Sequence, residues 1–330
     1  MMNDDSNRRS QLLSLKLRAL MREHLRLSTD PQGTSEPFAL GASFVTDDAV
    51  WMLIDGDASR SLGAVLAWSS RFELPVHLIV ETHSGLLARR AQFFTTDLTV
   101  WHADEKNLLP AVPEPVTASP AAKQSHLSFI DLITSVGADA VVEHGIVVGE
   151  VRGLEMCRVV DDVATGEARL EVGMGVNDRE AFAMVHGELP TEQAMRNVIE
   201  AVAIHREFGA NAHPFNQFGA ERFHRWRALQ DPSLVGFASL TPTNPPLPRT
   251  NLKDAVPCAG VGVTTDGESA VAVFVHGVDL DVVPFAIDVA HAENLKSVVV
   301  AARDRDITPS IRRMAQNCTV PVKFVELSVD

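Results

Sequence analysis

Two clusters of proline constrain this chain more than any other feature. Pro110, Pro113, Pro115 and Pro120 fall within residues 110–120, and Pro242, Pro245, Pro246 and Pro248 within residues 242–248. Each proline removes a backbone donor and biases its predecessor away from the helical region, so neither stretch can be a helix interior or a central strand. Both read as linkers. They divide the chain into residues 1–108, an N-terminal helix plus a first α/β repeat; a linker at 109–124; a middle α+β module at 125–240; a linker at 241–250; and a second α/β repeat at 251–330.

The two outer parts share an order of segments. Gly41–Asp47 matches Gly260–Asp266 at an offset of 219, and the next strand, Ala49–Gly56, matches Ala270–Gly277 at 221. A helix and another apolar strand follow in each, Leu74–Val80 and Leu295–Val300. Arg89-Arg90-Ala91 then matches Arg312-Arg313-Met314 at 223, before last strands near Leu98–Trp101 and Val322–Val325. Leu62, Val65 and Leu66, and Val282, Phe285, Ala286 and Val289, follow the i, i+3, i+4, i+7 spacing of an amphipathic helix. Strands alternating with such helices predict an α/β fold: two ββαβαβ units forming a mostly parallel sheet core. Residues 8–27 predict a further amphipathic helix, with Leu13, Leu17, Leu20 and His24 on one stripe. In the middle part a helix is expected near Leu127–Val136. Strand-like stretches follow at Ala140–Val151, Glu155–Val160 and Arg169–Val176, then a long helix from Thr191 to Glu207 and a shorter one over Ala220–Leu229.

Charge narrows the partners. The chain is acidic, with a formal charge of −14, which disfavours non-specific adhesion to nucleic acid or anionic lipid. Its longest apolar runs fall far short of the roughly 20 residues of a membrane span, so no membrane partner is expected. The polar start, Met1–Arg9, lacks the apolar core of a secretory leader. Three widely spaced cysteines, Cys157, Cys258 and Cys318, imply no disulfide framework. A cytoplasmic protein with reduced thiols is the expectation.

Sequence motifs for chemistry are sparse. The turn glycines Gly56 and Gly277 stand where nucleotide sites occur in open α/β sheets, but neither belongs to a phosphate-loop motif and both have acidic neighbours. There is no H-E-x-x-H, no C-x-x-C and no G-x-S-x-G. The middle part is different: Asp139, Glu143, Glu150, Glu155 and Glu171 all lie in or beside strand-like stretches, where a carboxylate is costly unless paired or bound to metal.

Asp139 and Glu150, followed by Arg152, form a D-x(10)-E-x-R pattern after a helix. It resembles the D…E-x-K core of the PD-(D/E)XK nucleases over some thirty residues, with arginine where that family has lysine. The resemblance implies Asp139 and Glu150 as ligands of Mg²⁺ or Mn²⁺, and Asp139, Glu150, Arg152 and Glu171 as a catalytic set. Arginine cannot release a proton near neutral pH, so it cannot take every role of the lysine. A shared metal also requires a turn inside Ala140–Val151, best placed at His144-Gly145, because one unbroken strand would hold Asp139 and Glu150 roughly 35 Å apart.

The stretch from His205 to Arg227 interleaves basic and aromatic residues, a pattern that grips nucleic-acid backbones and stacks bases. Its candidate substrate-binding residues are His213, Asn216, Arg222, Arg225 and Arg227. Adjacent helix positions point about 100° apart, so a buried Trp226 predicts accessible Arg225 and Arg227. Three functions follow as expectations: a metal-dependent phosphodiester hydrolase acting on nucleic acid or nucleotides, a non-catalytic binding or assembly scaffold of duplicated α/β lobes, or a small-molecule enzyme using the strand ends near Asp55, Asp57, Asp279 and Asp281.

Overall fold

Apolar runs of five to eight residues punctuated by glycine, proline and aspartate become the strands of three sheets in the computed structural model, which describes residues 2–186, 192–207, 209–210, 213–249 and 255–327. The chain forms two compact units. One comprises Met1–Val116, Leu280–Asp288 and Thr308–Val322; the other Thr117–Asp279, Val289–Ile307 and Lys323–Asp330. Among the described residues no helix is long and apolar enough to cross a membrane.

The N-terminal segment runs α1 (Met2–His24), β1 (Thr34–Glu36), β2 (Gly41–Val45), β3 (Val50–Ile54), α2 (Leu62–Ser69), β4 (Val76–Val80), α3 (Ser84–Ala91), β5 (Leu98–Asp104) and β6 (Asn107–Pro110). These strands form one sheet in order β1-β2-β3-β4-β5-β6, with β3/β4 and β4/β5 parallel and the rest antiparallel. Leu17, Leu20 and Met21 of α1 pack against Phe44, Trp51, Leu53 and Ile79, while the His24 ring meets Trp101 edge-on at 4.5 Å. Residues 111–123 belong to no helix or strand, as the proline cluster requires.

The middle segment contributes α4 (Gln124–Leu127), α5 (Ile130–Ser135), β7 (Asp139–Glu143), β8 (Ile146–Val151), β9 (Leu154–Asp161), β10 (Ala168–Val172), α6 (Val176–His186), α7 (Glu192–Ala203) and α8 (Ala220–Gln230). Thr191, expected at the start of the long helix, lies outside the described residues. The four strands make an antiparallel meander, β10-β9-β8-β7, whose inner side chains (Val147, Val151, Leu154, Met156, Leu170 and Val172) pack with Ile133 of α5 and with Met195, Ile199 and Val202 of α7. Ala140–Val151 is therefore a hairpin. His144 and Gly145 both have positive φ, 49° and 77°, as do Arg152 and Gly153 at 49° and 82°, the two-residue turns that match strand twist.

The last segment runs β11 (Phe237–Thr243), β12 (Cys258–Thr264), β13 (Ser269–Phe274), α9 (Val282–Ala292), β14 (Val298–Ala302), α10 (Pro309–Gln316) and β15 (Val322–Glu326). Its sheet order is β11-β12-β13-β14-β15, antiparallel at β11/β12 and β12/β13 and parallel at β13/β14. The fold is thus α/β, but the expectation of a mostly parallel core needs correction: both large sheets are mixed. The polar edge strand β1 and the proline-bearing β11 add antiparallel pairings that the apolar pattern does not announce. β11 also crosses the boundary expected at 240, and Pro242 is tolerated there because an edge strand leaves one row of donors unpaired.

Within the first unit, α3 faces α9 and α10 packs on α2. Arg90, 2% exposed, donates to Asp281 at 3.1 Å and to Asp288 at 3.0 Å. Phe94 and Cys318 form an isolated antiparallel bridge. Around it Thr95 N donates to Asn317 O at 2.9 Å and Thr319 N to Phe93 O at 2.8 Å. Cys157 and Cys258 are buried, Cys318 half-buried, and all three are free thiols.

Candidate functional site

Of the acids and arginines singled out in the middle part, Glu143, Glu150, Arg222 and Arg225 converge where α8 meets the β7–β8 hairpin, in the second unit. Gly219, left-handed at φ 57°, starts α8, and Asp231-Pro232 ends it. Between them Arg222 and Arg225 stand three residues apart on one face, and Phe223 and Trp226 stand three apart on another. The structure buries the arginine face. Arg222 and Arg225 are 4% and 2% exposed, while Phe223, Trp226 and Arg227 are half-buried. This reverses the expected orientation of Trp226 and Arg225.

The reason lies on the facing hairpin. Glu143, at the end of β7, and Glu150, on β8, point toward α8. Arg222 Nη1 donates to Glu150 Oε1 at 2.5 Å, and its Nη2 donates to Glu143 Oε2. Arg225 Nη1 donates to Glu143 Oε1 at 2.8 Å, and Arg225 Nη2 lies 3.8 Å from Glu150 Oε2. Two carboxylates and two guanidiniums thus close a ring in which charge cancels, the condition under which buried ions are tolerated. Burial alone would raise the Glu143 carboxyl, but attraction to Arg222 and then Arg225, with their hydrogen bonds, outweighs it and holds the pKa at about 2. The same carboxylates raise Arg222 against the lowering effect of burial.

Of the sequence-derived metal pair, Asp139 and Glu150 are brought opposite each other in the β7/β8 register. Asp139 is exposed, but neighbouring side chains partly desolvate its carboxyl and push its pKa up; a hydrogen bond from the Trp226 side chain opposes this, and nearby Glu150 adds to the rise. Glu150, however, is directed at Arg222 and Arg225. A divalent cation on these two acids would face two guanidiniums, so the residues present do not fit Mg²⁺ or Mn²⁺. Among the described residues no group of three or more His, Cys, Asp or Glu side chains gathers as a metal site.

The other proposed catalytic residues lie apart. Glu171 is on β10, at the opposite sheet edge from Asp139. Three strand spacings, roughly 14 Å, separate them. It pairs with Arg169 at 2.8 Å and Arg179 at 3.0 Å. Arg152 is a turn residue. Its Nη1 donates to the Ala203 and Arg206 carbonyls, both at 3.2 Å, which closes the end of α7, and it pairs with Glu207 at 3.3 Å. Its guanidinium lies 5.5 Å from the centre of the Trp226 ring.

His213 caps the short 3-10 turn Pro214–Asn216, and Asn216 is its last residue. His213 Nδ1 accepts from Phe215 N at 3.3 Å, and its ring stacks on His205 at 3.8 Å. These contacts fix a loop. With Arg222 and Arg225 turned inward, the expected basic-aromatic grip is not assembled on the outer face of α8.

Sequence reading passed over Arg206. It is 2% exposed and has no carboxylate within ion-pair distance among the described residues, donating instead to the carbonyls of Phe215, Phe218, Arg152 and Gly219 at 2.7–3.3 Å. Burial lowers its pKa to about 10. It lies inside the basic-aromatic stretch from His205 to Arg227 but was not among the candidates named there, because nothing local marks it as buried. His224, also missed, shares a hydrogen bond with His276 at 3.2 Å; burial first, then His276, bring its pKa down to about 3. Compared with protein-family models, with curated proteins and with solved structures, the chain matches none.

Proposed function

We propose that this chain is a non-catalytic binding or assembly protein, built on two α/β repeats of one design that are separated in the sequence by a four-stranded meander. The observation that carries the reading is the closed ring of Glu143, Glu150, Arg222 and Arg225. A catalytic or metal-holding carboxylate must keep an oxygen available, and this ring commits the acids to bolting a hairpin onto a helix.

The common design of residues 41–102 and 260–325 draws support from their shared order of elements, strand–strand–helix–strand–helix–strand, each preceded by one more antiparallel edge strand. It also draws support from the reciprocal hydrogen bonds around Phe94 and Cys318, since an exchange of this kind arises when like positions meet across a twofold axis. That pairing relates residues 224 apart and sets Arg313 against Arg89, one position from the match that sequence similarity alone suggests.

The test is calorimetric titration of the protein with MgCl₂ and with MnCl₂, alongside incubation with labelled single- and double-stranded oligonucleotides. The proposal expects no saturable metal binding and no cleavage. Saturable binding that Glu150→Gln abolishes, together with cleavage, would overturn it in favour of a metal-dependent phosphodiester hydrolase.

A further inference from the structure

A cavity of about 540 Å³ opens between α2 and α10 in the first unit. That is within the range of small-molecule sites, which combine an apolar floor with a few convergent polar groups. Leu66, Val76, Phe94 and Met314 line the cavity, with Ser70, Glu73 and Arg313 among its polar residues.

Arg313 makes one side-chain hydrogen bond, to Ser70 Oγ at 3.5 Å, and no ion pair among the described residues. Glu73, which also lines the cavity, has no ion pair among them either. Two opposite charges therefore border one cavity without neutralising each other.

The same unit shows what an arginine in this place takes. Resting on the two-unit reading above, Arg313 on α10 corresponds to Arg89 on α3, both 224 residues apart like Phe94 and Cys318. Arg89 is held by a carboxylate: its Nε donates to Asp288 Oδ1 at 2.9 Å and its Nη2 to Asp288 Oδ2 at 3.1 Å. Its Nη1 donates to the carbonyls of Glu114, at 2.9 Å, and Pro115, at 3.3 Å. Asp288 stands on α9. The corresponding helix α2, Leu-Gly-Ala-Val-Leu-Ala-Trp-Ser, carries no acid at all. Where one half of the design supplies a carboxylate from its own chain, the other leaves a cavity.

The geometry points to this cavity as a binding site for a small zwitterion of the amino-acid class. The ligand carboxylate replaces Asp288 as the partner of Arg313, the ammonium meets Glu73, and an apolar side chain lies on the Leu66–Met314 floor. The paired, fork-like geometry at Arg89 is the arrangement in which guanidinium binds carboxylate most specifically.

The experiment titrates the full chain with L-leucine and L-phenylalanine by calorimetry, with 4-methylpentanoate and isopentylamine as probes lacking one charge each. Saturable binding of at least one amino acid at roughly millimolar or lower concentration is expected, with each single-charge probe weaker by about tenfold or more. Arg313→Ala should weaken binding by about tenfold and Glu73→Gln by a few fold, while Arg312→Ala, outside the lining, leaves it unchanged. Both changes that touch the site are at exposed positions, so the variants should fold, which a melting curve verifies. No saturable binding of either amino acid up to about 10 mM, unchanged affinity in Arg313→Ala, or 4-methylpentanoate binding as tightly as leucine would each overturn the proposal. Such a failure leaves the scaffold reading standing, because that reading is decided by the metal and cleavage assays. A positive metal result would sink the scaffold reading without touching this cavity.

Discussion

Glu150 lies directly opposite Asp139 in the β7–β8 register, yet its carboxylate faces α8, where Arg222 Nη1 donates to it at 2.5 Å. A hairpin that brings two acids side by side would store repulsion. The helix removes it by presenting guanidiniums to the acid that is buried and leaving Asp139 to the Trp226 side chain.

Removing one member of the ring should therefore be costly. Arg222→Ala leaves Glu143 and Glu150 buried with too little positive charge, and a loss of about 3–5 kcal/mol is expected from urea unfolding. Glu150→Gln should also destabilise, by roughly 1–3 kcal/mol, because its neighbours are arginines. A Glu150→Gln variant as stable as the parent would mean that the ring does not form. Were Glu150 instead repelled by Asp139 alone, the same substitution would raise stability.

Stability should fall in acid in two stages. His224 titrates near 6.5 when unfolded and at about 3 when folded, so below pH 6.5 the unfolded chain binds one proton more. Its contribution then declines by about 1.4 kcal/mol per pH unit. Glu143, at about 2 folded against 4.5 unfolded, contributes fully above 4.5 and loses that contribution as the pH drops toward 2. His224→Gln should flatten the unfolding free energy between pH 6.5 and 4.5 and leave the lower stage in place. A slope unchanged by that substitution would show that His224 is not held neutral.

Glycines with positive φ separate backbone freedom from close approach. Gly153, at φ 82°, lies against α8, where an added Cβ would come within 2.4 Å of the Arg222 carbonyl carbon. Gly56, at φ 86°, has open space around it. Gly56→Ala should cost about 1 kcal/mol, the conformational penalty alone, and Gly153→Ala at least about 2 kcal/mol more. Thermal melts of the two variants decide the point; equal losses would show that α8 does not sit against the β8–β9 turn.

Two arginines of the first unit, Arg90 and Arg313, should differ in weight. Arg90 is buried with Asp281 and Asp288, so Arg90→Ala takes one guanidinium away from two buried carboxylates, at a cost of about 3–5 kcal/mol. Arg313 is exposed and, among the described residues, its side chain is joined to Ser70 alone, so Arg313→Ala should change stability by less than about 0.5 kcal/mol. Comparable losses from denaturant melts would contradict the asymmetry.

Local rules carried much of this fold in the sequence. The amphipathic stripe of residues 8–27, the apolar strands Val50–Ile54 and Val76–Val80, and the chain-breaking run after Pro110 act over a few residues and are legible there. So was the turn at His144-Gly145, because glycine adopts positive φ without a steric penalty. Strand β11 was hidden because Pro242 reads as a breaker until its edge position is known. The direction in which α8 faces was not legible at all. Its aromatic pair Phe223 and Trp226 and its basic pair Arg222 and Arg225 have the same helical spacing, so periodicity favours neither. Glu143 and Glu150, 72 to 82 residues earlier in the chain, decide between them. Apolar burial is a property of a residue and its near neighbours, so sequence determined which segments pack. Charge burial depends on a partner brought in from far along the chain, so only the tertiary structure decided that Glu150, a candidate catalytic acid, belongs with Glu143 to an ion-paired core.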